Sequence, residues 1–225
     1  LHDIALQNLP VRLCMDRGGL SGDDGPTHHG LFDIGYLRHV PGLVHMQAKD
    51  ENEFIDMLWT MANYEDGPIA IRYPRGNGPG ATIKDKPELL TIGEAEVIQT
   101  GTDVCLIPLG TMMELALEAK ETLESKGYSV TLINPRWIKP LDARTISEHA
   151  KNAKVVCTFE DHVLYNGFGL SIIELLHDDI IDTPVERIAW PDEFVEYGRP
   201  EILREKHGLT AANAVEKILP HLPAK

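Results

Sequence analysis

Arg17 and Arg75 each occupy a glycine-flanked turn, Asp16-Arg17-Gly18-Gly19 and Tyr73-Pro74-Arg75-Gly76, at the end of an apolar run. A planar guanidinium in such a turn can clamp a phosphate through paired, charge-assisted hydrogen bonds. The same placement suits an exposed or interdomain salt bridge, and residue chemistry alone leaves both readings open. Asp24 and His28 share a second feature, the loop Asp24-Gly25-Pro26-Thr27-His28-His29-Gly30. An imidazole near neutral pKa can move a proton there while a carboxylate orients it or a hydroxyl, a division of labour that typically supplies about 10²- to 10⁴-fold in rate. The plainer alternative is an Asx turn at Asp24-Gly25 with an exposed histidine, and His29 is expected to point elsewhere. Tyr36, with Phe32, could line a pocket, although aromatics in the run 31–37 more often fill a core. Arg72 precedes Tyr73 in a strand-like run and reads as structural. Glu160-Asp161-His162 follows another such run, and a strand-end acidic turn at a domain surface explains it as well as catalysis does.

These residues need elements to hold them. Residues 11–15 form an apolar stretch that delivers the glycine-rich loop 16–30 at its carboxyl end, and Ile69-Ala70-Ile71-Arg72-Tyr73 is a second strand stopped by Pro74. In open sheets ligands lie beyond the carboxyl ends of strands, so the loop 16–30 and the turn 72–76 are placed to share one pocket. Between them Asp50 and Glu53 open a helix with Phe54, Met57, Leu58 and Met61 on one face. Residues 76–87 turn to Gly, Pro, Asn and Lys, the composition of a connection between domains.

Beyond that point strands alternate with helices. The spacing predicts a strand at 104–109, a helix at 111–125 opened by a Thr111/Glu114 capping box and stopped by Gly127, and a strand at 129–133. A helix after Asp142, a strand at 154–159, a helix after Gly169, a strand at 185–188 and a last helix from Thr210 continue the alternation. The fold class is therefore α/β in two domains, each a mostly parallel sheet flanked by helices. The single glycine of Leu109-Gly110-Thr111 gives a dinucleotide site little support.

Composition narrows the ligands. The 225-residue chain is 43% hydrophobic and 25% charged, enough for a substantial core. Its 35 acidic and 21 basic side chains give a net charge of −14, which disfavours nucleic acid and anionic membrane surfaces and leaves any anionic ligand to a local arginine cluster. Cys14, Cys105 and Cys157 are odd in number and set in apolar runs, as expected of reduced, buried thiols in a cytosolic protein. No apolar run is long enough to cross a bilayer. The start, without Met and reading as the end of a helix, suggests a fragment, a processed chain or a partly ordered one.

The run Asp16-Arg17-Gly18-Gly19-Leu20, with Asp24-Gly25-Pro26-Thr27-His28-His29-Gly30, Phe32-Asp33 and Tyr36-Leu37-Arg38, closely resembles the pyrimidine-binding domain of the 1-deoxy-D-xylulose-5-phosphate synthase family. Arg72-Tyr73-Pro74-Arg75-Gly76-Asn77 resembles that family's phosphate-side motif. Residues 134–142, Asn-Pro-Arg-Trp-Ile-Lys-Pro-Leu-Asp, are similar to a transketolase-type C-terminal domain, with Asn134-Pro135 departing from the more usual Asp-Met or Asp-Leu. The resemblance implies a partial pyrimidine-binding domain at 1–80, a linker at 81–92 and a transketolase C-terminal domain at 93–225. It further implies a cytoplasmic homodimer that condenses pyruvate with D-glyceraldehyde 3-phosphate, with loss of CO₂, in isoprenoid and thiamine biosynthesis. Thiamine diphosphate and Mg²⁺ would serve the complete enzyme, with Arg17, Arg75 and Tyr36 toward the substrate and Asp24 and His28 toward the reacting atoms. The family's activating glutamate and stacking aromatic lie upstream of the motif that begins this chain, and its Gly-Asp-Gly diphosphate site is absent; Gly22-Asp23-Asp24-Gly25 does not replace it. The main cofactor-binding residues would thus lie outside this chain, in a missing N-terminal half, and this chain alone would be inactive. A transketolase, the beta-subunit of a 2-oxo-acid dehydrogenase and a non-catalytic interaction module are the rival readings.

Overall fold

The computed structural model describes residues 1–224 and contains two mostly parallel sheets flanked by helices. In the first sheet the order is β1 (Arg12–Met15), β3 (Ile69–Arg72), β2 (Val44–Met46), β7 (Trp137–Lys139). β1 and β2 both run parallel to β3, pairing Met15 with Arg72 and Met46 with Ile71. α2 (Glu51–Ala62) packs Met57 and Met61 against Ile69, Ile71 and Met46. Its start follows from Asp50, whose carboxylate accepts the Glu53 N–H at 2.8 Å, while Glu53 reaches back to the Lys49 N–H at 2.8 Å. Leu58 is 36% exposed, so the apolar face is narrower than its spacing suggests.

The second sheet has the order β4 (Glu96–Gln99), β6 (Val130–Asn134), β5 (Val104–Pro108), β8 (Val155–Val163), β9 (Val185–Trp190), with only β4 antiparallel. All residues of β5 and β8 are buried, as expected of strands covered on both faces. α3 (Met113–Ser125) and α7 (Ala211–Ile218) cover one face of this sheet, and α4 (Ala143–Asn152) with α5 (Phe168–Asp178) the other. α6 (Pro200–His207), absent from the sequence reading, ends at Gly208 in the left-handed region. Asp142 and Thr210 cap α4 and α7 through their side chains. Thr111 caps nothing. It lies in a 3-10 turn, Gly110–Met112, ahead of α3, so the expected capping box does not form.

One strand joins the halves. After β6 the chain reverses through Pro135 and Arg136, whose φ is +60°, and β7 pairs antiparallel with β2 in the first sheet. Trp137 is fully buried among Val44, Met46 and Met57, with its indole N–H on the Glu94 carbonyl at 3.2 Å. A strand from the segment after residue 93 therefore completes the first sheet.

Three further expectations are corrected. Residues 2–8 form turns rather than a helix end. Cys14 is exposed on the edge strand β1, whereas Cys105 and Cys157 are buried and burial pushes both thiols up, Cys105 to about 12. Glu160-Asp161-His162 is no surface turn: β8 continues through all three, and their exposures are 0%, 2% and 0%.

Glu160 closes the start of α5, accepting the Phe168 and Gly169 N–H groups at 2.5 and 2.9 Å. Burial outweighs those bonds and pushes its carboxyl from 4.5 up to about 7. The native state thus keeps a proton that the unfolded chain has released, and this group's contribution falls as pH rises from 4.5 to about 7, then levels. Urea unfolding across that window should show Glu160→Gln losing less stability with rising pH than the parent chain.

Candidate active site

The ladder between β1 and β3 continues past both strand ends, through Tyr73 N–H on the Met15 carbonyl at 3.0 Å and Gly18 N–H on the Tyr73 carbonyl at 2.8 Å. This lays the turn after β1 beside the turn after β3. Gly19 and Gly30 then exchange two backbone hydrogen bonds, both 2.9 Å, which closes residues 20–29 into a loop. At Gly19, with φ of +100°, a Cβ would stand 2.3 Å from the Asp161 carboxylate, so the position admits no side chain.

The loop brings three of the sequence-predicted residues together. Asp24 accepts Arg75 Nη1 at 2.8 Å through one oxygen and Arg17 Nε at 3.2 Å through the other. Arg17 also pairs with Asp16, and Arg75 approaches the Ser21 carbonyl at 3.4 Å. Two guanidinium groups from different chain turns therefore converge on one carboxylate, with side chains 38% and 48% exposed. His28 is not joined to Asp24. It is exposed, its Nδ1 lies 3.0 Å from Thr27 Oγ1, and its carbonyl accepts the Ser21 hydroxyl at 2.8 Å. Tyr36 and Phe32 leave the core, being 54% and 37% exposed, because α1 (Asp33–Leu37) buries Asp33 and Ile34 instead. Partial burial and the Asp33 charge raise the Tyr36 phenol above its ordinary value.

Beneath the loop lies a residue pair that sequence reasoning undervalued. Arg72 is fully buried and donates to Asp33 at 2.7 Å, Gln47 Oε1 at 2.6 Å, the Gly30 carbonyl at 3.0 Å and the Asp161 carbonyl at 3.1 Å. Burial works against the Asp33 carboxylate, but the Arg72 charge and hydrogen bond still hold it below its ordinary value. The Asp161 side chain takes the Leu20 N–H at 3.2 Å and the Trp190 indole N–H at 2.6 Å. Burial pushes nearby His45 down to about 3, so this interior carries no second cation on that ring. Strand alternation could not announce Asp161, since every residue of β8 is buried.

Among the described residues no group of three or more His, Cys, Asp and Glu converges as metal ligands. Gly22-Asp23-Asp24-Gly25 offers no diphosphate cradle either, because Gly22 packs on Gly198 and Pro200 while two arginines take Asp24. A cavity of about 250 Å³ lies beside the 73–79 turn, lined in part by Lys49, Phe54, Tyr73 and Thr111, and none of Arg17, Asp24, His28 and Arg75 lines it. In the cluster Arg17 and Asp24 are half-buried and Arg75 exposed.

Two stacked α/β units with a glycine-rich, arginine-bearing loop at a strand end define a transketolase-type architecture. Residues 1–80 match the transketolase pyrimidine-binding domain and residues 93–214 the transketolase C-terminal domain, so the chain belongs to the transketolase family. Within that family it is similar to 1-deoxy-D-xylulose-5-phosphate synthases. It is 53% identical to that of Methylacidiphilum infernorum over 98% of this chain and 35% of the relative. The synthase of Acidobacterium capsulatum is 50% identical over 99% of this chain and 35% of its own length. A solved structure described as a split gene transketolase, inactive beta4 tetramer, superposes with a TM-score of 0.84 at 26% identity, covering 100% of this chain and 70% of that one. The chain spans about a third of the length of the curated relatives it matches.

Arg72→Ala should leave Asp33 buried and unpaired and free two interior carbonyls. A loss of about 3–5 kcal/mol is expected, read as a lower urea midpoint at unchanged slope.

Proposed function

We propose that this chain supplies the acceptor-phosphate and proton-handling side of a 1-deoxy-D-xylulose-5-phosphate synthase site, within an enzyme whose remaining two thirds hold the cofactor. The convergence of Arg17 and Arg75 carries the reading: two guanidinium groups at adjacent strand ends, in a chain with a net charge of −14, concentrate positive charge where a triose phosphate needs it. Curated relatives bearing that synthase name support the substrate assignment.

In the proposed reaction pyruvate loses CO₂, and the two-carbon remainder adds to the aldehyde carbon of D-glyceraldehyde 3-phosphate. Arg17 and Arg75 hold the phosphate, with Asp24 released from them or shared. To His28, which is exposed and not bonded to Asp24, we assign the proton passed to the oxygen that becomes negative as the new C–C bond forms. Tyr36 presents its hydroxyl on the exposed face of α1 as a further substrate contact. Thiamine diphosphate would supply the decarboxylation chemistry. In keeping with the resemblance, we assign both thiamine diphosphate and Mg²⁺ mainly to the rest of the polypeptide. The family matches, ending at 80 and resuming at 93, support the division into 1–80, a linker at 81–92 and 93–225. The same resemblance supports a cytoplasmic homodimer in isoprenoid biosynthesis.

The test uses the complete enzyme. Arg75→Ala should weaken the phosphorylated acceptor by about 1.5–3 kcal/mol, roughly 10- to 150-fold in KM, with pyruvate KM unchanged. His28→Ala should lower kcat about 10²- to 10⁴-fold with little change in KM. Equal loss of pyruvate handling in Arg75→Ala, or a parent enzyme that accepts only unphosphorylated acceptors, would overturn the assignment.

A further inference from the structure

Resting on the reading above, we propose that the second domain shapes the Asp24–His28 loop from outside, and that His29 is the positioning residue through which it does so. The segment between β9 and α6 crosses directly over the loop. Gly22, with φ of +61°, packs so tightly there that a Cβ would meet Pro200 at 3.0 Å and the Gly198 carbonyl at 3.2 Å. A Cβ on Gly25 would meet Tyr197 Cβ at 3.1 Å, and Phe32 stacks edge-on against Phe194 with centroids 5.9 Å apart. The loop that carries Asp24 and His28 is thus pressed between its own domain and a strap of the other.

His29 links the two. It is buried at 8% exposure, with Nδ1 3.1 Å from the Ser21 backbone N–H and Nε2 3.2 Å from the Glu196 carbonyl. The Ser21 N–H can only donate and the Glu196 carbonyl can only accept, which assigns a neutral ring with its proton on Nε2. One imidazole therefore closes the loop from within, between residues 21 and 29, and ties it to the strap. The strap end is itself fixed: the Glu196 side chain pairs with Lys206 and with His207 at 3.2 Å, and Glu193 pairs with His207 at 3.1 Å, all anchored on α6. Ser21, whose N–H faces His29, also holds the His28 carbonyl through its hydroxyl. A displacement of His29 is thereby passed to His28 and, through the Ser21 carbonyl near Arg75, to the guanidinium cluster.

Two substitutions separate the bonds. Asn at position 29 has an oxygen that reaches the Nδ1 position and keeps the loop-internal bond, but it loses the strap; Gln has an amide nitrogen that reaches the Nε2 position and keeps the strap. In the complete enzyme, His29→Asn should speed deuterium uptake by backbone amides of residues 22–28 and raise KM for triose phosphate by about three- to tenfold, with pyruvate KM unchanged. His29→Gln, which keeps the tie to the strap but gives up the Ser21 bond, should raise both by clearly less than His29→Asn. Unchanged uptake in His29→Asn overturns the inference, as does a His29→Gln enzyme as impaired as His29→Asn, or faster uptake with no change in acceptor KM in an active enzyme. Uptake that follows the expected pattern in an enzyme unable to use a phosphorylated acceptor sinks the proposed substrate instead and leaves the strap's hold on the loop standing.

Discussion

A charged guanidinium with no access to water must find acceptors for its donors, and Arg72 finds them in both halves of the molecule. That requirement organises what surrounds it. Gly30 must present its carbonyl, which sets the closing end of the loop; Asp33 must face inward, which orients α1 and turns Phe32 and Tyr36 out; and Asp161 must approach from β8, which fixes the second sheet against the first. A buried ion pair of this kind is weak evidence of net stabilisation, since desolvation offsets much of its attraction. Its stronger effect is on specificity of arrangement, because a register that left any of these acceptors empty would strand a charge in the interior.

Electrostatics explains why the loop rests as it does. In a strongly acidic chain, two arginines within reach of one carboxylate attract it, and Asp24 is the carboxylate that the loop supplies. With the guanidinium side chains more than a third exposed, each contact is worth little, within the range of about 0–1 kcal/mol for surface pairs. A weakly held internal anion is the arrangement a phosphate can displace. A deeply buried one, like Asp33 on Arg72, is not.

The parts of this architecture that sequence exposes are those governed by local chemistry. Asp50 is visible as a cap, and Asp142 and Thr210 as helix starts, because a side chain bonds a backbone group three residues on. The buried strands β5 and β6 are visible as apolar runs, and the loop after β1 as a glycine cluster. What escapes notice is fixed by distant partners. β2 and β7 have three residues each, too few for a period, and β7 exists only because β2 offers an open edge. Thr111 has the spacing of a cap, but a 3-10 turn intervenes. Glu160, Asp161 and His162 look like a surface turn until their partners, the α5 amides, Leu20, Trp190 and Gly35, are known. The arginine pair is legible as two candidate turns, while their meeting at Asp24 depends on the β1–β3 register.

The partial exposure of that cluster bears on how firmly it holds an anion. Two unit charges 4 Å apart attract by about 1 kcal/mol in bulk water and about 4 kcal/mol at an effective dielectric near 20, so the same guanidinium groups grip an anion several times harder once water is excluded. Here Arg75 and His28 are exposed and Arg17 and Asp24 half-buried, outside the cavity at the 73–79 turn. This chain thus sets geometry: strand ends, a closed loop and a strap that holds it. With Arg75 and His28 in contact with water, the attraction between the cluster and an anion is correspondingly screened. An anion at such a partly exposed cluster exchanges readily, because displacing the weakly held internal carboxylate costs little.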